Sequence, residues 1–218
     1  MNWELIWLGF RETCMMTLFA SVFAYLLGLP LGVLLVITRK GSIKPMPTFN
    51  MVLGAIINFL RSIPFILLIA MLIPVTRAVM GTSIGTAASV FPLVISAAPY
   101  VARMVESSLL EVESGVVEAA QAMGSSNWQI IWKVMLPEAL PSLINGAAVS
   151  ITTILAYTAM VSAVGGGGIG AYAITKGYNR GKKYYDFMYT ASAVLVLMVQ
   201  IITITGTRLT RKLDHRIR

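Results

Sequence analysis

Charged side chains are scarce in this sequence. Asp, Glu, Lys and Arg make up 12% of its 218 residues, about half the fraction of an ordinary soluble domain. A single cysteine, Cys14, rules out a disulfide within the chain. A single histidine, His215, is too little for a zinc site, so no metal centre is expected. Hydrophobic residues reach 57% and mean hydropathy is +0.79, which favours a membrane protein.

Several kinds of chemistry also lack the residues they need. No paired carboxylates or catalytic triad stand near the apolar segments, so we do not expect an enzyme. No Gly-x-x-x-x-Gly-Lys-[Ser/Thr] loop is present to hold ATP. The run Gly165-x-Gly167-x-x-Gly170 matches a dinucleotide-binding fingerprint in letters only, because it follows an apolar helix and not a strand. The net charge of +8 is explained by cytoplasmic loops of a membrane protein, and no nucleic-acid partner is expected.

The apolar residues are grouped in five long blocks. A helix needs about 20 apolar residues to cross a bilayer, and these blocks lack the alternation of barrel strands. The second block contains Arg61 and breaks near Pro64, so its membrane-crossing part begins there. The sequence therefore predicts an all-α membrane protein with five transmembrane helices in one domain, 1–218. The predicted spans are 13–37, 62–76, 78–102, 139–164 and 187–207.

The distribution of Lys and Arg predicts the orientation of these spans. If the N-terminus lies outside, 11 of the 17 Lys and Arg residues fall in cytoplasmic segments and the other six fall outside. Basic residues are enriched in cytoplasmic loops, so we expect the N-terminus outside and the C-terminus inside. The loop with Lys176, Arg180, Lys182 and Lys183 runs against this bias.

The longest polar connection, 111–137, has the pattern of two short helices. A helix is predicted over 113–123, and Gly124 stands where a helix-ending glycine belongs. Ser125 or Ser126 is suited to cap a second helix, which Pro137 is expected to end. An apolar stripe on that helix is formed by Trp128, Ile131, Trp132 and Met135. The loop is either a hairpin packed on the helix bundle or a docking element for a partner.

The residue spacing in this loop resembles that of a known family. Glu118-Ala119-Ala120, Gly124, Val134 and Leu136-Pro137 resemble the EAA loop of bacterial ATP-binding-cassette (ABC) importer permeases, with Val134 where that family prefers Ile. In that family the loop is a coupling helix seated in a cleft of the ATP-hydrolysing subunit. The resemblance implies a type I ABC-importer permease architecture. It also implies an ATPase-coupling role for Glu118, Ala119, Ala120, Gly124, Val134, Leu136 and Pro137.

Further stretches look like the methionine-uptake branch of the family: 59–65, 102–106, 136–141 and 163–170. This likeness implies an inner-membrane homodimer in contact with lipid, two ATP-binding subunits and a periplasmic or lipid-anchored methionine-binding protein. No cofactor is expected in this chain, because ATP and Mg would bind to the partner. L-methionine is the implied substrate, and D-methionine and derivatives stay open. The alternatives are another amino acid carried by the same family and, less favoured, a secondary transporter.

Five residues are candidates for the translocation pathway. Thr153, Tyr157, Met160 and Val164 fall on one face of the fourth span and form either ordinary packing or a pathway wall. Met160 is predicted to narrow the path as a flexible apolar gate. Arg61 is either an interfacial arginine or a gate residue. A secondary transporter would usually need ionisable residues in mid-membrane and an internal repeat, whereas the first, third, fourth and fifth spans carry no charge and the sequence shows no repeat. A channel would need a selectivity filter, which the sequence lacks.

Overall fold

The computed structural model describes residues 3–213, which form helices and connections without a strand. Residues 1–2 and 214–218 lie outside the described residues, including His215 and the cations Arg216 and Arg218 of the C-terminal tail. The helices are α1 (Trp3–Ile37), α2 (Pro47–Ser62), α3 (Phe65–Met71), α4 (Ile73–Met80), α5 (Thr86–Leu110), α6 (Ser114–Ala122), α7 (Asn127–Ile130), α8 (Leu136–Glu138), α9 (Leu140–Met160), α10 (Ile169–Tyr172) and α11 (Tyr185–Leu213).

Four helical segments are long and apolar enough to cross a membrane. They are α1, α5, α9 with its continuation to Val164, and Lys182–Leu213, which contains α11. A fifth span is obtained if the bent pair α2 and α3 counts as one. The described residues therefore carry four or five candidate spans in an all-α arrangement.

The second predicted span, 62–76, is not a single straight helix. The chain breaks at Ile63 and Pro64, where α2 and α3 meet at an angle of 99°. The residue before a proline is pushed out of the α region, and Pro64 itself is extended with ψ 133°. A second break at Leu72 separates α3 from α4. The predicted break near Pro64 is confirmed, whereas the second break at Leu72 was not predicted from the sequence.

The third predicted span, 78–102, is shifted along the chain, because α5 runs from Thr86 to Leu110. Gly81 and Gly85 have φ angles of 76° and 102°, which lie in the left-handed region and separate α4 from α5. Beyond the predicted end, Arg103 forms an ion pair with Glu106 one turn later. The two charges compensate each other, so the helix continues past them.

The described residues divide into two compact units. The first unit contains residues up to Ala24, Ile63–Ala97 and Ile151–Thr203. Its apolar centre is formed where the beginnings of α1 and α11 meet the segment after α9, and consists of Ile6, Ile169, Ala173, Phe187 and Ala191.

The second unit contains Tyr25–Ser62, Ala98–Ser150 and residues from Ile204 onward. Its centre includes Leu35, Ile57 and Ala102 from α1, α2 and α5. A Cβ atom added to Gly32 of α1 would lie 2.6 Å from Val105 Cβ of α5, so only glycine permits this helix contact. The Asn50 side chain ties α2 to α1 by donating to the Leu35 carbonyl at 2.6 Å. Close approach through small residues is typical of helices in membranes.

Candidate functional site

A glycine elbow ends the first helix of the loop between α5 and α9. Gly124 has φ 78°, and a Cβ atom at this position would meet no neighbour. The N–H of Ser125 donates to the Ala120 carbonyl at 3.1 Å, and the N–H of Gly124 donates to the Gln121 carbonyl at 2.9 Å. These bonds satisfy the carbonyls at the end of α6, as in a Schellman motif. The predicted helix and its ending at Gly124 are confirmed.

A capping box starts the second helix directly after the elbow. Ser126 Oγ accepts from the Gln129 N–H at 3.3 Å, and Gln129 Oε1 accepts from the Ser126 N–H at 2.8 Å. This reciprocal pair satisfies two backbone donors that the start of a helix leaves unpaired. Of the two serines proposed as caps, Ser126 is the one used. Hydrogen bonds at the end of α6 and at the start of α7 therefore hold the turn between these helices.

Pro137 does not end the second helix, contrary to the sequence prediction. The helix widens into a π-helix over Ile131–Met135 and continues as α8, in whose first turn Pro137 lies. Pro137 cannot donate a hydrogen bond to the preceding turn, and the helix is widened to a π-helix in that turn. The helical path breaks only at Ala139, directly before α9. The loop is therefore connected to a membrane-crossing helix by an almost continuous helical path.

One side of the loop is anchored within its unit and the other side is exposed. Ala120 is 3% exposed, whereas Glu118 and Ala119 are exposed. The predicted apolar stripe is only half buried. Ile131 and Met135 are buried, but Trp128 and Trp132 are 68% and 52% exposed, with ring centroids 5.3 Å apart. Val134 and Leu136 are half-buried and Pro137 is exposed. Exposed tryptophans beside exposed small residues form a surface suited to a protein partner.

A cavity of about 390 Å³ lies beside the exposed side of α6. Glu118 and Gln121 border it on one side, and Arg39 and Lys40 of the connection between α1 and α2 border it on the other. Glu118 of the EAA motif and the basic loop between α1 and α2 therefore line the same cavity. This neighbourhood was not visible from the sequence, because nearly 80 residues separate the two segments.

The candidate pathway residues have different surroundings. The Tyr157 ring stacks on the buried Phe65 ring, with centroids 4.5 Å apart, so it packs within the first unit. Thr153 is half-buried, and Met160 is 43% exposed at the last residue of α9. Val164 does not continue their helical face, because the chain tightens into a 3₁₀ helix over Val161–Val164. Such a helix has three residues per turn instead of 3.6, which moves Val164 off the face.

Arg61 belongs to the second unit, unlike the other four candidates. It is exposed in the last turn of α2, and its guanidinium lies 5.9 Å from the centre of the Tyr100 ring. A cation over an aromatic face at this distance is a favourable contact at a helix end. Both interpretations of Arg61, an interfacial arginine and a gate residue, stay predictions.

Two residues of α1 that were not identified from the sequence hold the glycine-rich segment after α9. The Glu12 carboxylate accepts from the Gly168 N–H at 2.7 Å, and Thr13 Oγ1 accepts from the Ile169 N–H at 2.9 Å. They cap α10 from 156 positions away in sequence. A Cβ atom at Gly167 would overlap the Glu12 carboxylate, which explains a glycine there. The only signal in the sequence was a Glu-Thr pair at the edge of the first uncharged block.

Tyr172 completes this contact from the end of α10. Burial, together with a hydrogen bond to Glu12 and its negative charge, raises the pKa of the Tyr172 phenol to about 12. The phenol therefore remains protonated near neutral pH and donates to the carboxylate. The glycine-rich segment is held by backbone and side-chain donors directed at one acidic group.

We expect Glu12→Ala to destabilise this junction, because the Gly168 N–H would lose its acceptor. An unsatisfied buried donor costs roughly 1–3 kcal/mol. Glu12→Gln retains an acceptor oxygen and should lose less, and Arg11→Ala serves as the control at the exposed neighbour. Thermal unfolding in detergent and the rate of trypsin cleavage between Lys176 and Lys183 measure the effect. Equal stability and equal cleavage rates in Glu12→Ala and Arg11→Ala would contradict the capping role.

Known proteins are similar to this chain over most or nearly all of its length. It is 45% identical over 214 residues to the probable D-methionine transport system permease protein MetI of Pasteurella multocida (strain Pm70), with 98% of each chain covered. It is 47% identical over 163 residues to the D-methionine transport system permease protein MetI of Escherichia coli (strain K12), covering 73% of this chain and 75% of the relative.

Solved structures and a family description agree with these relatives. The MetNI methionine ABC transporter in an inward-facing conformation matches with a TM-score of 0.94 and 43% identity, covering 99% of this chain and 98% of the other. An amino acid ABC transporter with histidines, at 20% identity and a TM-score of 0.77, shares the fold. Residues 24–218 match the family described as binding-protein-dependent transport system inner membrane component. The chain therefore belongs to this family, as a multi-pass inner-membrane protein with the type I ABC-importer permease fold.

Proposed function

We propose that this chain is the membrane-spanning permease subunit of an ABC importer that carries methionine across the inner membrane. The observation that carries the proposal is the match over 99% of the chain, at 43% identity, to a transporter described as a methionine ABC transporter. The relatives named for D-methionine support the D-enantiomer as a substrate beside L-methionine. Hydrolysis of ATP, with its Mg, is assigned to a partner subunit, so this chain itself is not an enzyme.

The proposed assembly contains two copies of this chain, two ATP-binding subunits and an external methionine-binding protein, periplasmic or lipid-anchored. The exposed side of the loop, with Glu118, Ala119 and Gly124, seats in a cleft of the ATP-binding subunit. This assignment requires the N-terminus outside and the C-terminus inside, which the excess of Lys and Arg in the proposed cytoplasmic segments supports. Membrane lipid surrounds the assembly, as the exposed apolar side chains of α1 and α11 require.

Movement of the ATP-binding subunits is transmitted through this loop to the membrane helices. The elbow at Gly124 is held by bonds on both sides, so α6 and α7 move together. Val134, Leu136 and Pro137 lie on the helical path that leads from α7 into α9. A push on the exposed side would therefore reach α9, the helix that ends at Met160. Switching between inward-open and outward-open states needs such a connected element.

The uptake of labelled methionine tests the proposed substrate. Cells that express this chain together with the subunits encoded beside it should accumulate labelled L-methionine, and excess unlabelled L- or D-methionine should abolish the uptake. Lysine and glutamate, at the same excess, should leave the uptake unchanged. Competition by either of them would contradict the methionine assignment while leaving the importer class intact.

A matched pair of glycine substitutions tests the coupling loop. Val at Gly124 would be forced into the left-handed region, which costs roughly 1–2 kcal/mol for an L-residue and distorts the elbow. We expect Gly124→Val to lower substrate-stimulated ATP hydrolysis by about tenfold. Gly81→Val is the control, since Gly81 has nearly the same φ, 76°, and an equally open surrounding outside the loop. Equal rates of substrate-stimulated ATP hydrolysis in Gly124→Val and Gly81→Val would contradict the docking role of the loop.

A second matched pair tests Met160 as the apolar gate. Met160 is 43% exposed in the single chain, so Met160→Ala should retain the fold while letting methionine leak into liposomes without ATP. Leu155→Ala, at a buried position of the same helix, should lose roughly 2–5 kcal/mol of stability and show no leak. Thermal unfolding and ATP-free uptake distinguish the two. An unstable, leak-free Met160→Ala would show that Met160 is packing and not a gate.

A further inference from the structure

Two long helices of the first unit begin beside each other and border one open cavity. Ile6 of α1 and Phe187 and Ala191 of α11 are buried in the same apolar cluster, which brings the first turns of these helices together. The cavity measures about 1270 Å³. A 3₁₀ helix over Lys182–Tyr184 leads directly into α11, so its N-terminal end, with the partial positive charge of a helix start, lies at this cavity. The mouth of this cavity therefore attracts a negatively charged group.

The same cavity holds charged side chains of both signs. Three cations come from the segment between α10 and α11, and two carboxylates come from the first turns of α1 and α11: Lys176, Arg180, Lys183, Glu4 and Asp186. No ion pair in the described part of the chain joins one of these five charges to another. Unpaired charges of both signs around one cavity favour a ligand that itself carries both signs.

Exposed aromatic side chains surround this end of the unit. Trp3 and Tyr184 line the cavity, and Trp7, Tyr178 and Tyr189 are exposed within one or two turns of it. The Arg180 guanidinium lies 5.6 Å from the centre of the Tyr184 ring. Tryptophan and tyrosine concentrate where lipid headgroups meet the hydrocarbon core. The cavity therefore lies at the depth of the headgroups.

An apolar surface continues from this cavity along α11. Val196, Leu197 and Ile201 are all exposed, and they follow the helix start by about three to five turns. Exposed branched side chains on a membrane-crossing helix contact acyl chains. A molecule with a charged head in the cavity and an apolar tail along α11 would satisfy both surfaces.

We infer that this cavity binds the headgroup of a phospholipid that carries a phosphate and a primary ammonium, as phosphatidylethanolamine does. Lys176, Arg180 and Lys183 face the phosphate, because cationic side chains form charge-assisted hydrogen bonds to its oxygens. Glu4 and Asp186 face the ammonium. A lipid with phosphate but no ammonium would bring its negative charge against these carboxylates. A lipid site also explains why the loop with Lys176, Arg180 and Lys183 is basic although it lies on the predicted outer side of the membrane. The proposal depends neither on methionine as the substrate nor on which side of the membrane the N-terminus lies.

Native mass spectrometry of the full-length chain in mild detergent tests the site. The probes are phosphatidylethanolamine and phosphatidylglycerol with identical acyl chains. The unsubstituted chain should retain the ethanolamine lipid in preference to the glycerol lipid. Lys176→Gln combined with Arg180→Gln and Lys183→Gln should lower that retention by about tenfold. Arg208→Gln combined with Arg211→Gln and Lys212→Gln, near the other end of α11, removes the same charge and should leave retention unchanged.

A second variant pair keeps the test decisive if the triple variant is unstable. Glu4→Gln with Asp186→Asn should reverse the preference toward the glycerol lipid. The two carboxylates would no longer attract the ammonium of the ethanolamine lipid or repel the negative charge of the glycerol lipid. Equal retention by the two triple variants, or a preference of the unsubstituted chain for the glycerol lipid, would overturn the proposal. Displacement of the lipid by millimolar inorganic phosphate would show a free-anion site instead. If the Lys176, Arg180 and Lys183 triple variant kept its lipid but no longer captured the external binding protein, the cavity would be a protein-docking surface, and this result would also overturn the proposal.

Discussion

A chain that crosses a bilayer must satisfy its backbone N–H and C=O groups within the protein, because the hydrocarbon core offers none of water's hydrogen bonds. Long helices meet this constraint by themselves over α1, α5, α9 and α11. Wherever the helical path is interrupted, other groups of the same unit must replace the missing bonds. The interruptions are therefore the most informative places in the molecule.

The glycine-rich segment after α9 shows how the constraint is met. The N–H groups of Gly168 and Ile169 donate to Glu12 and Thr13, and the Gly165 carbonyl accepts from the Gly85 N–H at 3.1 Å. Glycine is needed here because side chains would overlap the groups that supply these bonds. An acidic residue near the start of α1 thereby orders a segment that follows α9. The loop between α5 and α9 lies outside the predicted spans, and there the bonds on both sides of Gly124 satisfy the helix ends in a similar way.

Interactions between residues close in the sequence could be predicted, whereas contacts between residues far apart in the sequence could not. Gly124 and Ser126 act through neighbours within five residues, so their roles in the elbow could be predicted, and the EAA spacing identified the family. The bend at Pro64 was seen as a break, but its angle of 99° depends on the elements on either side. Glu12 was missed because its partner lies 156 positions away. Apolar counting cannot identify such partners, since it measures only how each segment tolerates lipid.

In the proposed assembly, the exposed side of α6 contacts the ATP-binding subunit while its opposite side stays inside this chain. Cross-linking in membranes tests it most directly, with Cys14→Ser as the background and a single cysteine at Ala119 or Ala120. Ala119 is exposed and Ala120 is buried. A short cysteine-to-amine cross-linker should join the chain to the ATP-binding subunit from position 119 and fail from position 120. Equal cross-linking from both positions, or none from position 119, would contradict this account.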